Sequence, residues 1–364
     1  MKMRIVNPGV MTTVQDEGRC GYMKAGVRTG GAMDQDSYHL ADQILSNNAS
    51  AAELEMTLMG ITAVIEEDGI IALTGADMGA RLDGIPIERD RATMVRAGQE
   101  LSMGIAKSGC RSYLAIAGGI DVPVVMGSRS TDVKCRIGGY EGRPLQAGDV
   151  LQSGDQVETE ILLPGKDIRM KEGKIQESVK SKALVRAVNC KKSPSVYNTC
   201  PTVRVVEGPQ ADWFSEEERE KFYNECYTVS AESDRMGMRL EGHAVESLHG
   251  VDIVSDGIAF GSIQITKSGM PIIMMADHQT TGGYAKIGTV CSFDLPRLAQ
   301  LRPGDHVNFC RISVEEAQRL YCHPEERSRT AALVLPVRGR ENRGKAGFSR
   351  RHHFQKYDYY YRHE

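Results

Sequence analysis

Nine consecutive residues, Ala276-Asp277-His278-Gln279-Thr280-Thr281-Gly282-Gly283-Tyr284, put a carboxylate, an imidazole, an amide, two hydroxyls and a phenol on one short stretch. Asp277 and His278 are of the types that orient a substrate or move a proton. Gln279, Thr280 and Tyr284 donate and accept hydrogen bonds. Gly282 and Gly283 let the backbone come close to a ligand. Polar loops at strand ends are common sites, although a long hairpin loop rich in turn residues has the same composition. Further clusters have related chemistry. Gln15, Asp16 and Arg19 can place a carboxylate beside a guanidinium, or form a local ion pair that closes a turn. Met126-Gly127-Ser128-Arg129-Ser130-Thr131 sets one Arg among hydroxyls, which suits a carboxylate or phosphate. Arg129 can equally pin its own loop through backbone carbonyls. Ser233-Asp234-Arg235 again joins an acid to a base, and Asp77 follows Thr74-Gly75-Ala76 at the end of an apolar run.

The elements that hold these residues read as strands and turns. Pro271-Ile272-Ile273-Met274-Met275 is a short apolar run that delivers Asp277 from a buried strand, and residues 276–284 read as its loop. Ile70–Leu73, Arg111–Ala117, Val203–Val206 and Tyr227–Ser230 are further strands. Glu53-Leu54-Glu55-Met56 alternates, as a half-buried strand does. Asp83-Gly84 has the chemistry of a tight hairpin turn. A helix is expected from about residue 35 to 46, capped by Asp34 and ended by Asn47-Asn48. Ser215 with Glu218, and Ser313 with Glu316, start two more. Asp294 is expected to cap a short turn through Leu298. The Gly-Asp turn at Gly148-Asp149 returns at Gly304-Asp305, which fits two barrels of similar plan in tandem.

The chain has 364 residues, 41% of them hydrophobic and 26% charged, enough to bury sizeable cores. Many glycines, short apolar runs and frequent turns point to a mainly β protein. The divisions read as residues 1–163, a first β-barrel domain; 164–200, a charged linker or excursion; 201–312, a second barrel; and 313–364, a short helix and a basic, flexible tail. Net charge is -3, with no pull toward nucleic acid or membrane. From His323 onward ten basic residues face five acidic ones, too small an excess for a nucleic-acid arm. No export signal or membrane span is visible, and the nine Cys have no C-x-x-C pair. They read as reduced thiols of a cytoplasmic protein. No metal cluster and no Walker-type phosphate loop are present. Met23-Lys24-Ala25 lacks the second Met of a biotin-accepting hairpin.

Six motifs, in order NPGVMTTVQDEGR, GGAMD, LTGAD, GSRST, SDRMGMRL and ADHQTTGGY, resemble the family of the C component of 5-oxoprolinase (PxpC). The family is also called KipA-like or allophanate hydrolase subunit 2-like, and its module recurs in biotin-dependent urea carboxylases. The resemblance runs from about Val6 to Val314. It implies two tandem cyclophilin-like β-barrel domains with a few short helices. It also implies KipI-like and LamB/YcsF-like partner subunits, and ATP shared with those partners to open 5-oxoproline to glutamate. In the carboxylase branch the implied co-substrate is carboxybiotin, acting on urea or a similar amide. A third implied role is a non-enzymatic antagonist of a KipI-like kinase inhibitor. Homo-oligomers are compatible with any of these.

Both chemistries face amide resonance, which makes a lactam carbonyl a poor electrophile and an amide nitrogen a poor nucleophile. Such a site needs a cation for an anionic group and a carboxylate or amide to orient the substrate. On the matched motifs the catalytic candidates are Asp77, Asp277 and Arg235. The substrate-binding candidates are Arg129, Ser130, Gln279, Thr280, Gly283, Tyr284, Gln15 and Asp234, with Arg129 and Arg235 as anion binders. Nothing here resembles a complete enzyme; a half-site finished by a partner fits best. The family usually carries Arg where His278 stands, Pro at Ala285 and a Pro pair at Thr266-Lys267. If that Arg reads a substrate charge, His278 makes the reading pH-dependent.

Overall fold

The computed structural model describes residues 1–48, 50–154, 159–163, 166–171, 174–178 and 196–327. The protein is mainly β. Among the described residues there are four α-helices: α1 (Gln35–Leu45), α2 (Glu216–Asn224), α3 (Leu295–Ala299) and α4 (Val314–Cys322).

The first half is two antiparallel sheets around one core. Six strands run in the order Val150–Gln152, Lys2–Asn7, Thr62–Glu67, Glu100–Ser102, Arg81–Leu82, Ile85–Pro86. Five run in the order Met11–Gln15, Glu53–Thr57, Ser108–Ile116, Gly69–Asp77, Ala92–Val95. Alternation sends Met3, Ile5, Leu54, Met56, Ile65, Leu73 and Leu114 inward to a shared core. α1 lies across Gly69–Asp77 and Ser108–Ile116, covering the outer face of the five-stranded sheet. Asp34 caps it by accepting from the Ser37 N–H, and Ser46 ends it in the left-handed region, within a residue of the expected span. The Asp83-Gly84 turn has both residues at positive φ, 50° and 77°, as a two-residue hairpin loop between twisted strands requires.

The second half is a closed barrel of seven strands. Their order is Thr202–Glu207, Lys286–Val290, Ser262–Ile265, Pro271–Met274, Gly237–Glu241, Cys226–Val229, His306–Arg311, and the last pairs in parallel with the first. Val203, Val205, Tyr227, Leu240, Ile263, Ile273, Ile287 and Phe309 fill the interior, as a barrel of this size demands. α2 starts at Ser215, whose side chain accepts from the Glu218 N–H. Its Phe222 stacks on Phe309 with ring centroids 4.7 Å apart.

The repeated Gly-Asp turn has one job in both halves. Asp149 accepts from the Gln146 N–H at 2.7 Å, and Asp305 from the Arg302 N–H at 2.8 Å. Each turn launches the strand that pairs with the first strand of its own half.

Two local expectations differ. Asp294 does not cap α3; its carboxylate takes three bonds from Arg204, at 2.9 Å from the backbone N and at 2.7 and 2.6 Å from the guanidinium. The loop expected over 276–284 is half strand, because Thr281–Tyr284 pairs with Asp252–Gly257 in a two-stranded ribbon. Two strands inside the expected excursion over 164–200, Lys166–Lys171 and Lys174–Ser178, form an antiparallel meander with Thr159–Leu163, which ends the span read as the first barrel. The rest of the excursion up to residue 195, and the tail beyond Arg327, lie outside the described residues.

Candidate functional site

The two halves meet along a seam, and Arg235 is at its centre. Its loop leads into strand Gly237–Glu241 and is tied to the end of strand Pro271–Met274, because the Asp277 N–H donates to the Arg235 carbonyl at 2.8 Å. The guanidinium then grips Asp277 with two bonds, 2.8 and 2.9 Å. It also reaches across to the first half, donating to Glu55 and, at 2.6 Å, to the Gly31 carbonyl. Burial works against the Arg235 charge, but Asp277 and Glu55 overcome it and its pKa rises. Burial likewise works to raise the Glu55 carboxyl. Arg235 and Arg111, with the Met33 N–H and the Tyr113 hydroxyl, hold it below its ordinary value. This is a buried, bidentate clamp.

Arg19 lies beside the clamp, completely buried. One of its nitrogens donates to the Ser130 carbonyl, while Nε and Nη1 have no hydrogen-bond partner among the described residues. Asp277 Oδ1 and Arg19 Nη1 both lie within 4 Å of the Cβ position that Gly30 lacks. Asp16 does not close a pair with Arg19, as one reading of the turn had it. Its carboxylate accepts from the Ser128 hydroxyl at 2.6 Å, the Gly18 N–H at 2.8 Å, and the Ser130 hydroxyl and Arg129 N–H at 2.5 Å each. The 126–131 loop is therefore pinned through both serines and the backbone. The Arg129 side chain is left half-buried, with no partner among the described residues. Ser130, fully buried, spends its hydroxyl on Asp16.

His278 is 3% exposed, and its Nδ1 is 2.7 Å from the Gln279 carbonyl, so that nitrogen carries the proton and Nε2 is the acceptor. Burial, aided by Arg28, pushes its pKa below the ordinary value; the Gln279 carbonyl and Asp277 pull the other way. At neutral pH it is therefore an uncharged acceptor. Arg28 stands 3.9 Å from Asp132.

The remaining predicted residues fall into three places. Gln15, fully buried, donates to Thr13 and to the Thr131 carbonyl and so braces the loop that carries Arg129. Asp234 shapes its own turn, accepting from the N–H groups of Met236 and Gly237 at 2.8 and 3.0 Å. Gln279, Thr280, Gly283 and Tyr284 lead away from the seam along the two-stranded ribbon; Gln279 and Thr280 are half-buried. Asp77 is not at the seam. Glu55 is opposite Tyr113 and Tyr113 opposite Thr74, so Asp77 is three residues farther, about 10 Å along its strand. It lines a cavity of about 200 Å³ in the first half.

Sequence reasoning missed Glu55, Tyr113 and Gln300. Gln300, 2% exposed, accepts from the N–H groups of Cys110 and Arg111 and donates to Asp34 and the Arg111 carbonyl. The Tyr113 hydroxyl donates to Glu55 at 2.7 Å and accepts from the Asp34 N–H at 2.8 Å. The only sign in the sequence was two acids inside an otherwise apolar strand, Glu53 and Glu55. Among the described residues no group of His, Cys, Asp and Glu could hold a metal ion, and no helix is long and apolar enough to cross a membrane.

The family described as "Carboxyltransferase domain, subdomain A and B" matches residues 25–311. The C component of the 5-oxoprolinase of Escherichia coli K12 is 35% identical over 315 residues, which is 86% of this chain and 93% of that protein. The urea amidolyase of Saccharomyces cerevisiae is 32% identical over 87% of this chain but only 17% of its own length. Among solved structures, the Kluyveromyces lactis urea carboxylase superposes with a TM-score of 0.75 at 31% identity, over 92% of this chain and 29% of that one. The six motifs, the seam they build and these matches agree: the chain belongs to the carboxyltransferase-domain family of subdomains A and B, alongside the C component of 5-oxoprolinase.

Proposed function

We propose that this chain is part of an ATP-dependent 5-oxoprolinase that opens 5-oxoproline to L-glutamate together with a KipI-like and a LamB/YcsF-like partner, and that it is inactive alone. The observation that carries the reading is the match to the C component of 5-oxoprolinase along 93% of that protein. The geometry supports a half-site. Arg235 pairs with Asp277 in its own half and reaches Glu55 and the Gly31 carbonyl in the other, so it holds the two halves together. Arg129 is the predicted anion binder whose guanidinium the fold leaves open to a ligand. The cavity beside Asp77, at about 200 Å³, is small next to the roughly 300–1,000 Å³ of drug-sized pockets, so it does not fit a nucleotide. ATP is accordingly assigned mainly to the partners.

The test is glutamate and ADP release from 5-oxoproline and ATP by the three chains mixed, leaving out each in turn. Activity that needs this chain, and that falls about tenfold or more with Arg129→Ala, supports the reading. An assembled complex that forms neither product overturns it. A second reading, half of a biotin-dependent carboxyltransferase using carboxybiotin, is favoured by the family's description and by the urea carboxylase likeness. Carboxyl transfer to urea, or to a similar amide, by this chain with a carboxybiotin donor would select it.

A further inference from the structure

The cavity beside Asp77 has a polar design that the seam does not use. Its apolar side is made by Leu73, Ala76, Met78 and Met103, all buried. Its polar side is one turn, Asp77-Met78-Gly79, with Lys107 folded over it. Asp77 Oδ1 accepts from the Gly79 N–H at 2.9 Å, and the other carboxylate oxygen has no partner among the described residues. The Lys107 ammonium lies 3.1 Å from the Cβ position that Gly79 lacks. Yet Asp77 and Lys107 make no ion pair with each other or with any other described residue, although both line the same small space. Arg81 and Arg89 line it too, each bonded to a backbone carbonyl, those of Gly84 and Gly75. One acid against three bases makes the cavity net positive.

A carboxylate and an ammonium that flank one turn without pairing, beside an apolar wall, select a ligand with three features. It needs an N–H for Asp77, an anionic group for Lys107, and a small apolar body between them. It must also be about the size of one amino acid, because the cavity is about 200 Å³. A free amino acid places an ammonium, not a neutral N–H, beside its carboxylate, and three cations in the wall oppose that charge.

We propose that this cavity binds a small cyclic amide that carries a carboxylate, with Asp77 accepting the ring N–H and Lys107 holding the carboxylate. Naming 5-oxoproline as that molecule rests on the oxoprolinase reading. The site places the lactam nitrogen against a fixed acceptor, and because the amide of a small ring is cis its carbonyl lies on the same edge as the N–H.

The experiment is titration calorimetry on the full-length chain with 5-oxoproline, 2-pyrrolidinone, proline and N-methyl-5-oxoproline. Saturable 5-oxoproline binding is expected, with proline and the N-methyl compound at least about tenfold weaker. Lys107→Met should weaken 5-oxoproline about tenfold and leave 2-pyrrolidinone, which has no carboxylate, unchanged. Asp77→Asn keeps an acceptor for Gly79 and should weaken both lactams. Lys107 is exposed, so its variant folds whatever the fate of Asp77→Asn. No saturable binding to the parent chain, or a Lys107→Met chain that binds 5-oxoproline as the parent does, overturns the assignment. If the assembled complex turns over 5-oxoproline with KM unmoved by Lys107→Met, the cavity is wrong and the oxoprolinase reading stands. If lactam binding follows both variants but no glutamate forms, the cavity stands and the oxoprolinase reading falls.

Discussion

Arg235 holds two carboxylates from two different halves, so its loss leaves two buried negative charges facing each other. Arg235→Met should therefore destabilise the folded chain by about 3–5 kcal/mol, read from denaturant unfolding. Arg235→Lys should recover only part of this, because one ammonium cannot span Asp277, Glu55 and the Gly31 carbonyl together. A second acidic pair works in the opposite sense. Asp42 on α1 and Glu53 on strand Glu53–Thr57 are both buried, and neither Asp42 Oδ2 nor either Glu53 oxygen has a hydrogen-bond partner among the described residues, so two charged carboxylates are disfavoured there. Burial pushes Asp42 up to about 6 and Glu53 well above its ordinary value. Folded values above the unfolded ones mean stability that is complete below about pH 4 and is lost as pH rises through 6 and beyond. For Asp42 alone this is on the order of 3 kcal/mol. The melting temperature should fall from pH 5 to pH 8. Asp42→Asn, which removes one of the two buried acids, should flatten that fall.

At the level of elements, helix starts were legible because capping is local. Ser215 and Ser313 accept from the N–H three residues on, as their sequences imply. Ser215→Ala should cost about 1 kcal/mol, checked by urea unfolding. The same side-chain types are illegible when they bond at long range. Asp294 looked like a cap, but Arg204, 90 residues away, claims its carboxylate. Glu53-Leu54-Glu55-Met56 alternates as if one face met water. In the fold all four residues are buried, because α1 and the barrel loops cover that face. An alternating strand shows which residues share a face and not what will lie on it. The loop at 276–284 was misjudged for a related reason: Gly282-Gly283 has low strand propensity, and its pairing with Asp252–Gly257 comes from the tertiary structure. Asp277 and Arg235 do meet, and Ser130 and Gln15 do brace the Arg129 loop. Their duties depended on partners such as Glu55 and Asp16 that spacing alone cannot assign.

At the scale of the whole molecule, the seam makes two cores into one cooperative body. Met33, from the first half, is buried in the barrel core, and Gln300, from the second, satisfies four groups of the first. Gln300→Ala would leave the Cys110 and Arg111 N–H groups without their acceptor and should cost about 2–4 kcal/mol. Calorimetry should then show two transitions where the parent shows one, because the halves lose their shared network before either core melts. The closure of each half also has a consequence for synthesis. Lys2–Asn7 waits for Val150–Gln152, and Thr202–Glu207 for His306–Arg311. On the ribosome the first half can become compact once Gln152 is free. The barrel stays unsealed until Arg311 emerges, with the edge of Thr202–Glu207 unprotected for the whole interval. Nascent chains stalled short of His306 should lose their second half to brief proteolysis and keep the first, and release of only a few more residues should make both resistant.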